Sequence, residues 1–196
     1  GELGGDTAGL RLGGTYYDSK GYRDNNRDIQ STASAESRWS GAAGDLSLRF
    51  AGASENIRLP GARTIQPSIG LNELETDRKG TSTPKDYALR DDGVVQFDWS
   101  GSNGPISGLV GVSYRQKEQK SYFDFNGFPD YREIDLNVLA LTPRIRLDHS
   151  QLGLNGNLVA GFDWYTWNYD LALSASPTTI AQPVHKVDAK QENRAV

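Results

Sequence analysis

Apolar and polar residues take turns along most of the chain. Leu46, Leu48 and Phe50 are interleaved with Ser47, Arg49 and Ala51, and Val95, Phe97 and Trp99 with Val94, Gln96 and Asp98. Ile106, Gly108, Val110, Val112 and Tyr114 alternate in the same way with Ser107, Gly111, Ser113 and Arg115. A repeat of two sends successive side chains to opposite faces of a strand, so each run predicts one greasy and one polar face. With turn residues between the runs, strands are predicted at Thr7 to Tyr17, Asp28 to Ser40, Gly44 to Ile57, Asp86 to Ser100, Pro105 to Phe123, Tyr131 to His149 and Gly153 to Leu173. Another begins near Lys186.

Short and long connections alternate between them. The short ones are "SGAAG" at 40–44, "SGSNGP" at 100–105 and "SQLG" at 150–153, rich in the Gly, Asn and Ser that tight hairpins need. The long ones lie near 18–27, 58–85, 124–130 and 174–186. Tight turns at one end and wide loops at the other are the pattern of an outer-membrane barrel, with the turns toward the periplasm and the loops outside. The expected fold is therefore all-β, an antiparallel up-and-down transmembrane β-barrel segment spanning residues 1–196. An antiparallel sandwich with a solvated outer face gives the same alternation. Length separates the two. At about 3.3 Å per residue the three longest runs reach about 60 Å, roughly three times an ordinary sandwich strand. Tilted by about 45°, they overshoot an apolar band about 25 Å tall.

Two strands break the rule. In 156–173, "GNLVAGFDWYTWNYDLAL", Leu158, Ala160, Phe162 and Trp164 form one apolar row, whereas Tyr165, Trp167 and Tyr169 continue on the other. The rings from Phe162 through Tyr169 are expected to bracket the outer membrane interface, where aromatic girdles sit. In Tyr131 to His149 the greasy parity is Ile134, Leu136, Val138 and Ala140, then Leu141, Pro143, Ile145 and Leu147. The switch near Leu139 to Leu141 fits either a β-bulge or a strand covered on both faces at that level. Pro143 has no N–H for the ladder and calls for a local irregularity.

Composition narrows the function classes. The 196 residues include 22 glycines and no cysteine or methionine, which removes disulfides and cysteine-based metal or thiol chemistry. A formal net charge of −4 argues against a nucleic-acid partner, which needs a basic face. No apolar run of about 18 residues is present, so no transmembrane helix is expected, a test that does not reach transmembrane strands. No secretory leader follows Gly1, and "QENRAV" stops inside what reads as the start of a strand, so the chain is expected to be a fragment.

Taken in order, "SKGYRDNN" after a strand, "NIRLPGART" opening a long loop that closes with "RKGTSTPKD", then "VSYRQKEQKSYF", "LTPRIRLD", "LVAGFDWYTWNYD" and "QENRAV" resemble the barrel of a TonB-dependent outer-membrane receptor of the siderophore-receptor type. The resemblance covers nearly the whole chain. It implies a barrel of about 22 strands closed by an N-terminal plug. It also implies import of a scarce, large solute such as a ferric siderophore, haem or a vitamin-like cofactor, with energy delivered through TonB. This chain would supply about seven to eight of those strands. It has no plug, no TonB box and no terminal aromatic residue. A different reading is a complete small barrel with a structural or adhesion role, since eight strands can close.

Candidate chemistry is sparse. His149 lies beside a short turn and His185 in a long loop, neither with a second ligand at metal spacing. Asp91, Asp92 and Asp148 read as solvated strand ends, and no nucleophile has a base nearby. Neither an enzyme nor a resident cofactor is expected. Arg58, Arg63, Arg78 and Lys79 in the long loop are candidates for an anionic solute, because guanidinium forks match carboxylate, catecholate and phosphate groups. Contact with anionic lipopolysaccharide is the simpler role for the same charges. Trp167 and Tyr169 are candidates to stack on a solute, with girdle or loop packing as the simpler role.

Overall fold

A computed structural model of the chain describes residues 1–125, 127–148 and 156–196. His149 and the turn expected at 150–153 lie outside the described residues. The elements are β1 (Glu2–Gly4), β2 (Ala8–Ser19), β3 (Asp28–Gly41), β4 (Gly44–Arg58), β5 (Ile65–Gln66), β6 (Leu71–Asn72), α1 (Glu73–Thr76), β7 (Tyr87–Asn103), β8 (Ile106–Phe125), β9 (Phe128–Asp148), β10 (Asn157–Gly161), β11 (Asp163–Ser174) and β12 (His185–Ala195). All the strands but β5 and β6 join one antiparallel sheet in the order β1-β2-β3-β4-β7-β8-β9-β11-β12, with β10 on β9. Each long strand pairs with the next in sequence, which makes an up-and-down meander. The two edges, β1 and β12, are not paired with one another among the described residues, so the sheet does not close as a small barrel of its own.

Register turns the alternation into faces. Directly opposed residues share a face, and Leu48, Phe97, Val112, Leu141 and Trp164 form one cross-strand row over five strands. Leu46, Trp99, Val110 and Pro143 form the row beside it. The other face carries Ser47 opposite Asp98, Arg49 opposite Gln96, and Val94 opposite Arg115. The sheet is a single layer: Tyr131 and Ala140 are the only buried hydrophobic residues among those described. Phe50, Phe97, Leu109, Ile145 and Leu158 stay more than a third exposed. A sandwich would bury one face against a second sheet, and this molecule does not.

The parity switch in β9 involves no bulge. Its pairing with β8 runs from Ile106 opposite Leu147 to Phe125 opposite Phe128 without an inserted residue. The apolar side chains change face instead, and β11 changes with them. Tyr165, Trp167, Tyr169 and Leu171 stand opposite Ala140, Val138, Leu136 and Ile134, on the face that elsewhere carries Arg115 and Asp98. Trp167 and Tyr169 therefore lie on the opposite side of the sheet from Trp164, as the change of row in the sequence indicates.

Pro143 produces the irregularity, and it falls on the neighbouring strand. Phe162 interrupts the line between β10 and β11 where its partner is Pro143, which has no N–H to return. Phe162 still donates its own N–H to the Pro143 carbonyl at 3.2 Å. Arg144 fills the gap, donating to the carbonyls of Pro143 at 2.9 Å and Phe162 at 2.7 Å and pairing with Asp163. Register is the same on both sides of the break, Gly161 opposite Arg144 and Trp164 opposite Leu141.

The connections sort by end. Gly41 opposite Gly44 and Asn103 opposite Ile106 leave only 42–43 and 104–105 as turns. Gly44 and Gly104, with φ of 110° and 59°, take backbone angles that other residues rarely adopt. The opposite end carries 20–27, 59–86 and 175–184. The wide loop expected at 124–130 is not there, because the ladder continues through Asp124 opposite Pro129 and Phe125 opposite Phe128. Its Asn, Gly, Pro and Asp read as a loop; an edge of that hairpin tolerates the proline.

Candidate functional site

Among the described residues, the most elaborate structure outside the ladder sits at the loop end. Residues 59–86 hold their own two-stranded sheet, in which Ile65 pairs with Asn72 and Gln66 with Leu71. Glu73 joins it to the single turn of α1, accepting the Thr64 N–H on its carboxylate at 2.6 Å while donating its own N–H to the Thr64 carbonyl at 3.0 Å. The two limbs of this loop are laced together at the neck: Leu59 donates to Asp86, Ser82 to Pro60, and the Thr81 and Ser82 hydroxyls to Pro60 and Ala62.

The candidate arginines divide by position. The Arg63 side chain is 6% exposed, and its terminal nitrogen is held between Asp77 at 2.9 Å and Glu73 at 3.6 Å, both in the same loop. Arg58, at the end of β4, lies over the Tyr87 ring at 5.1 Å, and Tyr87 stacks on Tyr122 with centroids 6.2 Å apart. Arg78 is exposed and donates through Nε to the Leu74 carbonyl. Lys79 is exposed with its ammonium over the Tyr22 ring at 5.6 Å. The four do not converge on one point: one is internal, one belongs to a tyrosine stack, and two form the outer surface.

Sequence reasoning missed Arg23 and Asn25, both in the loop at 20–27. Arg23 donates to the carbonyls of Pro60, Gly61 and Gly80, and Asn25 reaches those of Leu59, Thr83 and Asp86. Their signal was faint, an arginine and an asparagine in a polar loop. Arg27, beside them, is paired with Asp18, whose carboxylate raises the guanidinium pKa above its ordinary value.

The mixed face of the sheet is the other candidate surface. On β7 and β8 it is ionic, with Asp92 accepting from Arg115 and Arg90. On β9 and β11 it becomes the apolar and aromatic panel around Trp167, which is 38% exposed, and Tyr169. Nothing in this arrangement is a catalytic constellation, and no group of three or more His, Cys, Asp or Glu side chains among the described residues is placed to hold a metal.

Comparison with known proteins adds one finding. No protein-family model and no curated protein matches the chain. Among solved structures the chain is similar to the ferric citrate transporter FecA in its unliganded form, with a TM-score of 0.63 and 12% identity over 96% of this chain. The chain spans 28% of that protein's length. At this identity the likeness establishes the fold: an all-β, antiparallel up-and-down segment of a barrel of the FecA kind.

Proposed function

We propose that this chain is part of the wall of a TonB-dependent outer-membrane importer, serving a scarce, large solute such as a ferric siderophore, haem or a vitamin-like cofactor. The observation that carries the reading is the single-layer sheet with an uncovered apolar band on one face, in the fold of a transporter's barrel. A contiguous exposed apolar area of this size needs a partner, and lipid is the partner that fits strands of 20 and 21 residues. Trp39 and Trp99, both opposite Leu46, border the band on the side of the tight turns. Tyr114, one row beyond Phe97 and Val112 toward the loops, borders it on the other side, as interface anchors do.

In this reading the tight turns face the periplasm and the loops at 20–27, 59–86 and 175–184 face outward, among lipopolysaccharide and solute. The mixed face lines the lumen. On the same proposal Arg78 and Lys79 meet an anionic solute or lipopolysaccharide, and Trp167 and Tyr169 a solute in the lumen. Arg58 and Arg63 act by holding the loop that presents the others. The plug and its contact with the TonB complex belong to the rest of the protein. No enzymatic step and no nucleic-acid partner is part of the reading.

The test is accumulation by whole cells of ferric siderophores, haem and vitamin B12, with and without TonB. Saturable accumulation of one of them that vanishes without TonB is expected. Accumulation that persists unchanged without TonB, or none of any of them, would end the proposal.

A further inference from the structure

Two side chains tie the loop at 20–27 to the neck of the long loop. Arg23 makes four bonds with its guanidinium, to Gly61 at 2.6 Å and Pro60 at 3.1 Å on the departing limb and twice to Gly80, at 3.1 and 3.0 Å, on the returning limb. Asn25, in the left-handed region with φ of 51°, sets its amide nitrogen within hydrogen-bond distance of Leu59 at 3.0 Å, Thr83 at 2.6 Å and Asp86 at 3.0 Å. Every acceptor is a backbone carbonyl, so the contact fixes the path of the chain. The backbone adds two bonds of its own, from Asp24 to Lys79 and from Arg58 to Arg27, both at 2.7 Å.

We infer that Arg23 and Asn25 are a clamp that closes the neck of residues 59–86, so that this loop and the loop at 20–27 move as one body. Each residue bridges both limbs, from a planar group that carries two or more N–H donors. A solute arriving at this end therefore meets a composite surface, with Tyr22 and Lys79 from the two loops side by side, and the long loop does not swing alone as a lid. That last consequence rests on the proposed importer; the clamp does not.

Amide hydrogen exchange on the complete protein in lipid tests it without any solute. Arg23→Ala should speed exchange by about tenfold or more at 59–62 and 79–86 together with 20–27, the scale set by losing one charge-assisted bond, with β7 and β8 unchanged. Arg23→Lys, which keeps the charge but puts one nitrogen in place of three, should speed both loops less than Arg23→Ala. Arg38→Ala, which removes an exposed arginine on β3, should leave both loops as they are. Should Arg23→Ala fail to assemble, Asn25→Ala carries the same expectation. Faster exchange confined to 20–27, with 59–86 unchanged in Arg23→Ala or Asn25→Ala, would overturn the clamp and leave the importer reading standing. Failure to accumulate any solute would do the reverse.

Discussion

Gly161 shows how tightly a single position can be set by its neighbour. A Cβ there would lie 2.4 Å from both the Arg144 Cδ and the Pro143 carbonyl oxygen, one of them backbone, so the strand has to shift to admit it. Gly161→Ala should therefore cost about 1 to 3 kcal/mol. Gly93→Ala, where nothing lies within 4 Å, should cost far less. Urea midpoints of the two variants refolded into lipid would measure the difference. Arg63 makes a related point at the loop end. With its side chain buried between Asp77 and Glu73, Arg63→Ala removes the one cation that joins both carboxylates and should raise protease cleavage within 62–77, whereas the exposed Arg78→Ala should change cleavage much less. The sequence showed both residues as equivalent loop arginines. What separates them is the fold of the loop around each, which periodicity does not encode.

The strands were legible for the reason that made them strands. Where one face meets a different medium from the other, residues must alternate, and Leu46 to Phe50, Val95 to Trp99 and Val110 to Tyr114 do so. β9 and β11 were ambiguous because their apolar residues change face partway, and only the register shows that Val138 and Trp167 change together. The hairpin at 124–130 was misread as a loop because turn-forming residues signal a reversal without fixing its length. The role of Arg144 is not legible in the sequence, because its partners include the carbonyls of Pro143 and Phe162, which no motif records. The faces carry their own prediction. Phe97→Arg should cost about 2 to 4 kcal/mol if its row lies near the membrane midplane, and Gln96→Arg much less. Refolding into vesicles of stated thickness would compare them. Equal costs would refute the assignment of faces.

At the scale of the whole molecule, the governing fact is that the described residues form one layer. Residues 1–196 isolated in water without detergent would expose the apolar rows on one side and the edges of β1 and β12 on the other. They should associate, giving broad NMR signals; a sharp, dispersed monomer spectrum would contradict the barrel-wall account. The most direct measurement uses the lack of native cysteine in this stretch. Spin labels placed singly at positions 109 to 115 of β8, in the complete protein in lipid, report collisions with oxygen dissolved in the bilayer and with a water-soluble nickel chelate. The account predicts a period of two, with 110, 112 and 114 favouring oxygen and 111, 113 and 115 favouring nickel. Equal access at successive positions, or nickel favoured at 110 and 112, would contradict it.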